Sequence, residues 1–247
     1  MRFLISFILL LILNQTNAQF ENSKFQTMAM GLFSPIMSNG DQDTVAILIQ
    51  DNIHVFKITS HSVTIISGEN DLSNERKKEE KLLYRYFAFN KISGLGCEVI
   101  EGDFQNKLFL DSFLTQRLPQ FTSDSSMIIE NYTFLKDSTK EYDLIETYLS
   151  KSVEKYKYPD STILYYNSKF HDIEYGLNFK KEKQAQINRK LQKLKMIYLI
   201  DEKDLKENAI SNQMIISFEL MDLPKNDLDP LLKLAERAKQ YFTIINN

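Results

Sequence analysis

The single cysteine, Cys97, and three histidines, His54, His61 and His171, are the residues from which nucleophilic or metal chemistry would have to be built. A cysteine attacks as its thiolate, which needs a neighbouring base or positive field. Cys97 stands in KISGLGCEVIEG, residues 91–102, between Gly96 and the alternating Val99 and Glu101, where a strand is expected. Inside a strand a free cysteine behaves as a small buried hydrophobe, so packing is the favoured role and a mixed disulfide with another chain the next. His54 and His61 are seven residues apart. An odd spacing places them on opposite faces of one continuous strand, and together only if a turn intervenes.

His171 has Asp172 and Glu174 beside it, but a zinc site needs three or four ligands at a recognisable spacing, and HExxH is absent. Asp41-Gln42-Asp43 offers alternating carboxylates after Asn39-Gly40 without the later glycine and distal glutamate of a calcium loop, so a hairpin turn is expected there. A glycosidase acid and nucleophile are defined by their separation in space, which spacing in sequence does not give. The chain has no tryptophan on which to stack a sugar, although it carries 12 tyrosines and 17 phenylalanines. No catalytic, cofactor-binding or metal-ligating residue is therefore assigned, and no cofactor is expected. The basic stretch KKEKQAQINRKLQKLK, residues 180–195, is read as a solvated face in preference to a contact for anionic lipid or an acidic partner. Asn131-Tyr132-Thr133 is a glycosylation sequon, of consequence only in a eukaryotic secretory pathway.

The elements that would position these residues change character along the chain. Strands are expected at Phe25 to Phe33, Thr44 to Gln50, Ile53 to Thr59 and Val63 to Ser67, with turns at Asn39-Gly40 and Asp51-Asn52. In IHVFKIT, Ile53, Val55, Lys57 and Thr59 alternate with His54, Phe56 and Ile58, so both faces of that strand are expected to be partly covered. Residues 68–81, with nine charges, read as an exposed loop or solvated helical turn. Strands resume at Leu82 to Phe89, Leu95 to Ile100 and Lys107 to Leu114, with a bulge permitted by Gly94 and Gly96 and a stop at Leu118-Pro119. Residues 126–135 suit a further strand, with a helix as the alternative over ten residues.

From Lys140 the apolar residues Tyr142, Ile145, Tyr148, Leu149, Val153 and Tyr156 recur at helical steps, which predicts a helix ending before Tyr158-Pro159. A strand at Thr162 to Asn167, a helix at Lys181 to Ile197 and a strand at Gln213 to Met221 follow. Asp229-Pro230 then opens a last helix through Phe242, with aspartate as cap and proline in the first turn. Strands first and helices later indicate an α+β fold, a curved antiparallel sheet with about three helices. With no repeat or linker in view, residues 19–247 are expected to form a single α+β domain.

Residues 1–18 read as a secretory signal: Arg2, an apolar run from Phe3 to Leu13, and small or polar residues ending at Ala18. That run is too short for a membrane span, which needs about 20 apolar residues, and no other segment supplies one. Loss of Arg2 takes the formal charge from −3 to −4, which does not favour nucleic acid. A lone cysteine in an exported chain leaves stability to burial and hydrogen bonding. Abundant lysine, asparagine and isoleucine suit an AT-rich bacterial genome, and so a periplasmic or cell-surface location.

Ile92, Gly94 and Cys97 together resemble the I-x-G-x-x-C strand of secreted bacterial proteins of the GLPGLI family and of domains similar to the lipoprotein-carrier fold. The run of short strands and the late FELMDLPKNDLDP resemble the strand order of that fold, while the string that names the family is absent. The resemblance implies an envelope protein with a curved antiparallel sheet and brings no catalytic residues with it. The function expected is non-catalytic binding of an apolar small molecule or an envelope partner. The alternatives are a hydrolase built on carboxylates or histidines and a structural subunit of a surface assembly.

Overall fold

The computed structural model describes residues 23–33, 42–66, 77–118, 132–151, 158–170, 173–201 and 213–245. The N-terminal half contributes strands β1 (Ser23–Phe33), β2 (Gln42–Gln50), β3 (Ile53–Ile66), β4 (Lys77–Asn90), β5 (Leu95–Ile100) and β6 (Asp103–Phe109), followed by helix α1 (Leu110–Arg117). The C-terminal half contributes β7 (Tyr132–Asp137), β8 (Leu144–Ser150), β9 (Ser161–Asn167), α2 (Lys181–Ile187), β10 (Lys190–Leu199), β11 (Gln213–Met221) and α3 (Lys225–Ile245). The strands form one sheet in the order β6-β5-β4-β3-β2-β1-β11-β10-β9-β8-β7, and every pairing is antiparallel. Each half is a meander, and β1 with β11 joins them at the centre. The expected α+β architecture, an antiparallel sheet packed with three helices among the described residues, is the one observed.

The sheet is covered on both sides, which is why the middle of β2, from Val45 to Ile49, is buried at every position. Val45, Ile47 and Ile49 pack with Phe56, Phe87, Phe89 and α1. Ala46 and Leu48 pack with Val55, Cys97 and the apolar stripe Leu231, Leu234, Ala235, Ala238 and Phe242 of α3. The expected two-sided alternation of β3 is therefore realised, with Phe56 in one cluster and Ile53 and Val55 in the other. A strap, residues 173–187, crosses the α1 side: Tyr175 joins the first cluster, while Leu177 and Phe179 join a third with Leu144, Tyr166, Leu191 and Leu220.

Several sequence expectations are corrected. β3 runs unbroken through Ser60-His61-Ser62, so Ile53 to Thr59 and Val63 to Ser67 are not separate strands. β4 begins at Lys77, inside the stretch expected as loop, and residues 67–76 lie outside the described part. The strand expected over Lys107 to Leu114 ends at Phe109 because Leu110, Phe113, Leu114 and Leu118 are buried at helical spacing. The bulge in this region lies between β5 and β6, beside Asn106 at φ 47°, rather than between β4 and β5. Of the strand expected at 126–135, residues 132–135 fall in β7 and 126–131 lie outside the described part.

The helix expected from Lys140 is strand β8. Leu144, Glu146 and Tyr148 all point into the core, and a carboxylate at the middle position concealed the alternation. Residues 152–157, with Val153 and Tyr156, lie outside the described part. The helix expected from Lys181 to Ile197 is α2 alone, closed by Asn188 at φ 50°, after which the chain extends as β10. A bulge between Leu191 and Lys193 sends both Leu191 and Leu194 inward, and this produced the helix-like three-residue step. α3 starts at Lys225, not at Asp229, and carries Pro230 inside it. The extra N-terminal residues are held by Asp227, whose carboxylate receives Lys57 Nζ at 2.5 Å, and by Leu223, which packs on the core.

Candidate ligand groove

Where β4 and β5 meet α3, a groove of about 640 Å³ opens. Its sheet wall is Tyr84, Tyr86, Val99 and Ile100, and its helix wall is Pro230 and Leu234. These positions face each other for simple reasons. Tyr86 pairs with Val99 across the ladder, and Pro230, Lys233, Leu234 and Arg237 follow one side of α3 at three- and four-residue steps.

The walls are fixed by contacts behind them. Arg237 donates to the Gly102 carbonyl, and its guanidinium lies 5.6 Å from the Phe104 ring centre. Gly102 adopts φ +92°, a conformation that a side chain would strain. One turn further along α3, Tyr241 stacks on Phe104 with centroids 4.6 Å apart, and the Cys97 thiol donates to its hydroxyl at 3.7 Å. At the other end Lys57, paired with Asp227, sits 4.6 Å from the Tyr84 ring centre.

The charged rim is unevenly matched. Arg85 donates twice to Glu98 Oε1, at 2.9 and 2.6 Å, and Asn106 donates to Oε2 at 3.3 Å. Burial pushes the Glu98 carboxyl up, but these hydrogen bonds and the Arg85 and Arg117 charges outweigh it and its pKa is lowered. Lys233 and Glu101 also line the groove, and neither has an ion pair among the described residues.

Two other titratable groups, His54 and Glu146, are buried in the core. His54 is 0% exposed, shares a 2.5 Å hydrogen bond with the Tyr175 hydroxyl through Nδ1, and has Glu174 at 3.9 Å from Nε2. Burial lowers its pKa, the Glu174 charge opposes this, and Lys91 adds to it, so the imidazole is held neutral. Glu146, 2% exposed, accepts from Tyr148 at 2.9 Å, from Tyr166 at 3.4 Å and from Lys183. Both clusters join the strap to the sheet.

Of the residues singled out from sequence, Cys97 is a buried packing residue opposite Ala88, as expected. Ile92 and Gly94 lie in the β4–β5 turn and not on the strand with it; Ile92 is 78% exposed and Gly94 has φ +66°. His61 pairs through its backbone with Leu82, well along the strand from His54. His171 and Asp172 lie outside the described residues, while Glu174 is bound by Lys91 at 2.6 Å. Gln42 and Asp43 belong to β2 and not to a turn; Asn39, Gly40 and Asp41 lie outside the described part. Among the described residues no three or more histidine, cysteine or acidic side chains converge as metal ligands. None of their helices is long and apolar enough to cross a membrane. Sequence reasoning missed the groove because its walls come from residues 84–102 and 230–237, which no local motif connects.

No family model matches the chain, and no curated protein matches it. Among solved structures, a LolA superfamily protein from Nitrosomonas europaea is similar over 83% of this chain and 89% of its own, at 12% identity and a TM-score of 0.24.

Proposed function

We propose that this is a non-catalytic binding protein that holds a small molecule with an apolar body between α3 and the β4–β5 hairpin. The observation that carries the reading is the groove itself, whose volume of about 640 Å³ lies within the usual range for small-molecule sites and whose two walls are apolar. The hydrolase alternative draws less support, since the His54 and Glu146 clusters are buried and bound to internal partners. The signal-like residues 1–18 support export to the bacterial envelope, and the Ile92, Gly94 and Cys97 pattern supports kinship with GLPGLI-like envelope proteins. On this reading residues 19–247 work as a single domain.

The test is native mass spectrometry of the protein purified from its own envelope without detergent extraction, beside a Tyr84→Ser/Ile100→Ser double variant. Both positions are exposed, at 50% and 37%, so the fold tolerates the change. A bound small molecule on the parent protein, much reduced on the variant, is expected. A bare mass on the parent, or equal loading of the two, overturns the reading.

A further inference from the structure

Resting on that reading, we infer that the groove takes a single-chain amphiphile with an anionic head, seated between Lys233 and Arg237. The lining residues decide the sign. Arg85 and Glu98 cancel as an ion pair, both Arg85 donors meeting one carboxylate oxygen, leaving Lys233 and Arg237 against Glu101 and a formal surplus of +1. Arg237 is fixed by the Gly102 carbonyl and the Phe104 ring, neither of which carries an opposing charge. Lys233 is four residues earlier on the same helix side, so the two cations flank one point on the rim. Leu234 and, on the facing strand, Val99 line the same groove, so a head held by the two cations has apolar wall for its chain. Glu101 sets a limit, since its carboxylate on the β5–β6 turn opposes a second negative charge.

The probes are hexadecanoate, hexadecyl phosphate and hexadecanol below their aggregation concentrations, with binding to the intact protein measured by calorimetry at low and high salt. Exposed charge pairs are worth modest factors, so hexadecanoate is expected to bind about threefold tighter than hexadecanol at low salt, with the preference fading at high salt. Lys233→Gln removes that preference, and Glu101→Gln enlarges it. Both positions are exposed, so neither change disturbs the core. Hexadecyl phosphate separates the two head chemistries. Tighter binding than hexadecanoate that Glu101→Gln improves further assigns a phosphate head, and weaker binding assigns a carboxylate. Equal affinity for alcohol and acid, or a preference untouched by Lys233→Gln, overturns the anionic head and leaves the groove standing. Failure of all three probes, or binding unaffected by Tyr84→Ser/Ile100→Ser, overturns the groove itself.

Discussion

The sheet is covered in two different ways, by helix α3 on one face and by α1 together with the strap of residues 173–187 on the other. Beneath α3 the buried residues are apolar side chains and one cysteine. The polar and charged residues buried among the described part, His54, Glu146, Thr162 and Gln184, belong to the strap side. His54 reaches Tyr175, Glu146 reaches Lys183, Thr162 neighbours Tyr148 in the ladder, and Gln184 is part of the strap itself. A helix satisfies its own backbone and needs only an apolar stripe to lie on a sheet. An irregular segment does not, so side chains must answer its buried peptide groups. Gln184 does this directly: its amide donates to the carbonyls of Leu177 at 2.9 Å and Phe179 at 2.8 Å, and its oxygen accepts from Leu191 N at 2.9 Å.

Substitutions on the two faces should therefore differ in size and kind. The largest effect is expected for Gln184→Ala, which strands three buried backbone groups at about 1–3 kcal/mol each, partly relieved by water; a loss of about 4 kcal/mol in chemical denaturation is predicted. A loss under about 1 kcal/mol would show that the strap does not depend on it. Glu146→Ala is next, at about 3 kcal/mol, because two buried tyrosine hydroxyls lose their acceptor while Lys183, 31% exposed, can turn outward.

The strap face should also respond to acid. The folded-state pKa of His54 is lowered from its ordinary value of 6.5, so below that value the unfolded chain binds more protons than the folded one. Stability present in full above pH 6.5 is then lost as the pH falls from there through the folded-state value. In denaturation at successive pH values, His54→Asn should flatten this decline, and an unchanged slope would remove His54 as its source. The smallest effect is expected beneath α3, where Cys97→Ala costs about 1 kcal/mol by leaving a small cavity.

The same contrast explains what was legible in the sequence. β5 and β11 run over the residues expected, and β2 and β9 are close to expectation, since short runs rich in apolar and β-branched residues mark them. On the strap side the pattern misleads. Glu146 occupies a core position, and the bulge after Leu191 turns a period of two into a step of three, so β8 and much of β10 look helical. Asp229-Pro230 resembles a helix start, but the true start depends on Lys57, 170 residues away from Asp227. The groove is less legible still, because Tyr86, Val99 and Leu234 become a surface only when α3 returns to the N-terminal half of the sheet.

The most direct test of the ligand assignment is hydrogen–deuterium exchange on the intact protein with and without hexadecanoate. Slower exchange in residues 84–86, 98–102 and 230–237 is predicted, with the strap unchanged. Protection confined to residues 144–148 and 177–187 would place the ligand on the opposite face and contradict the account.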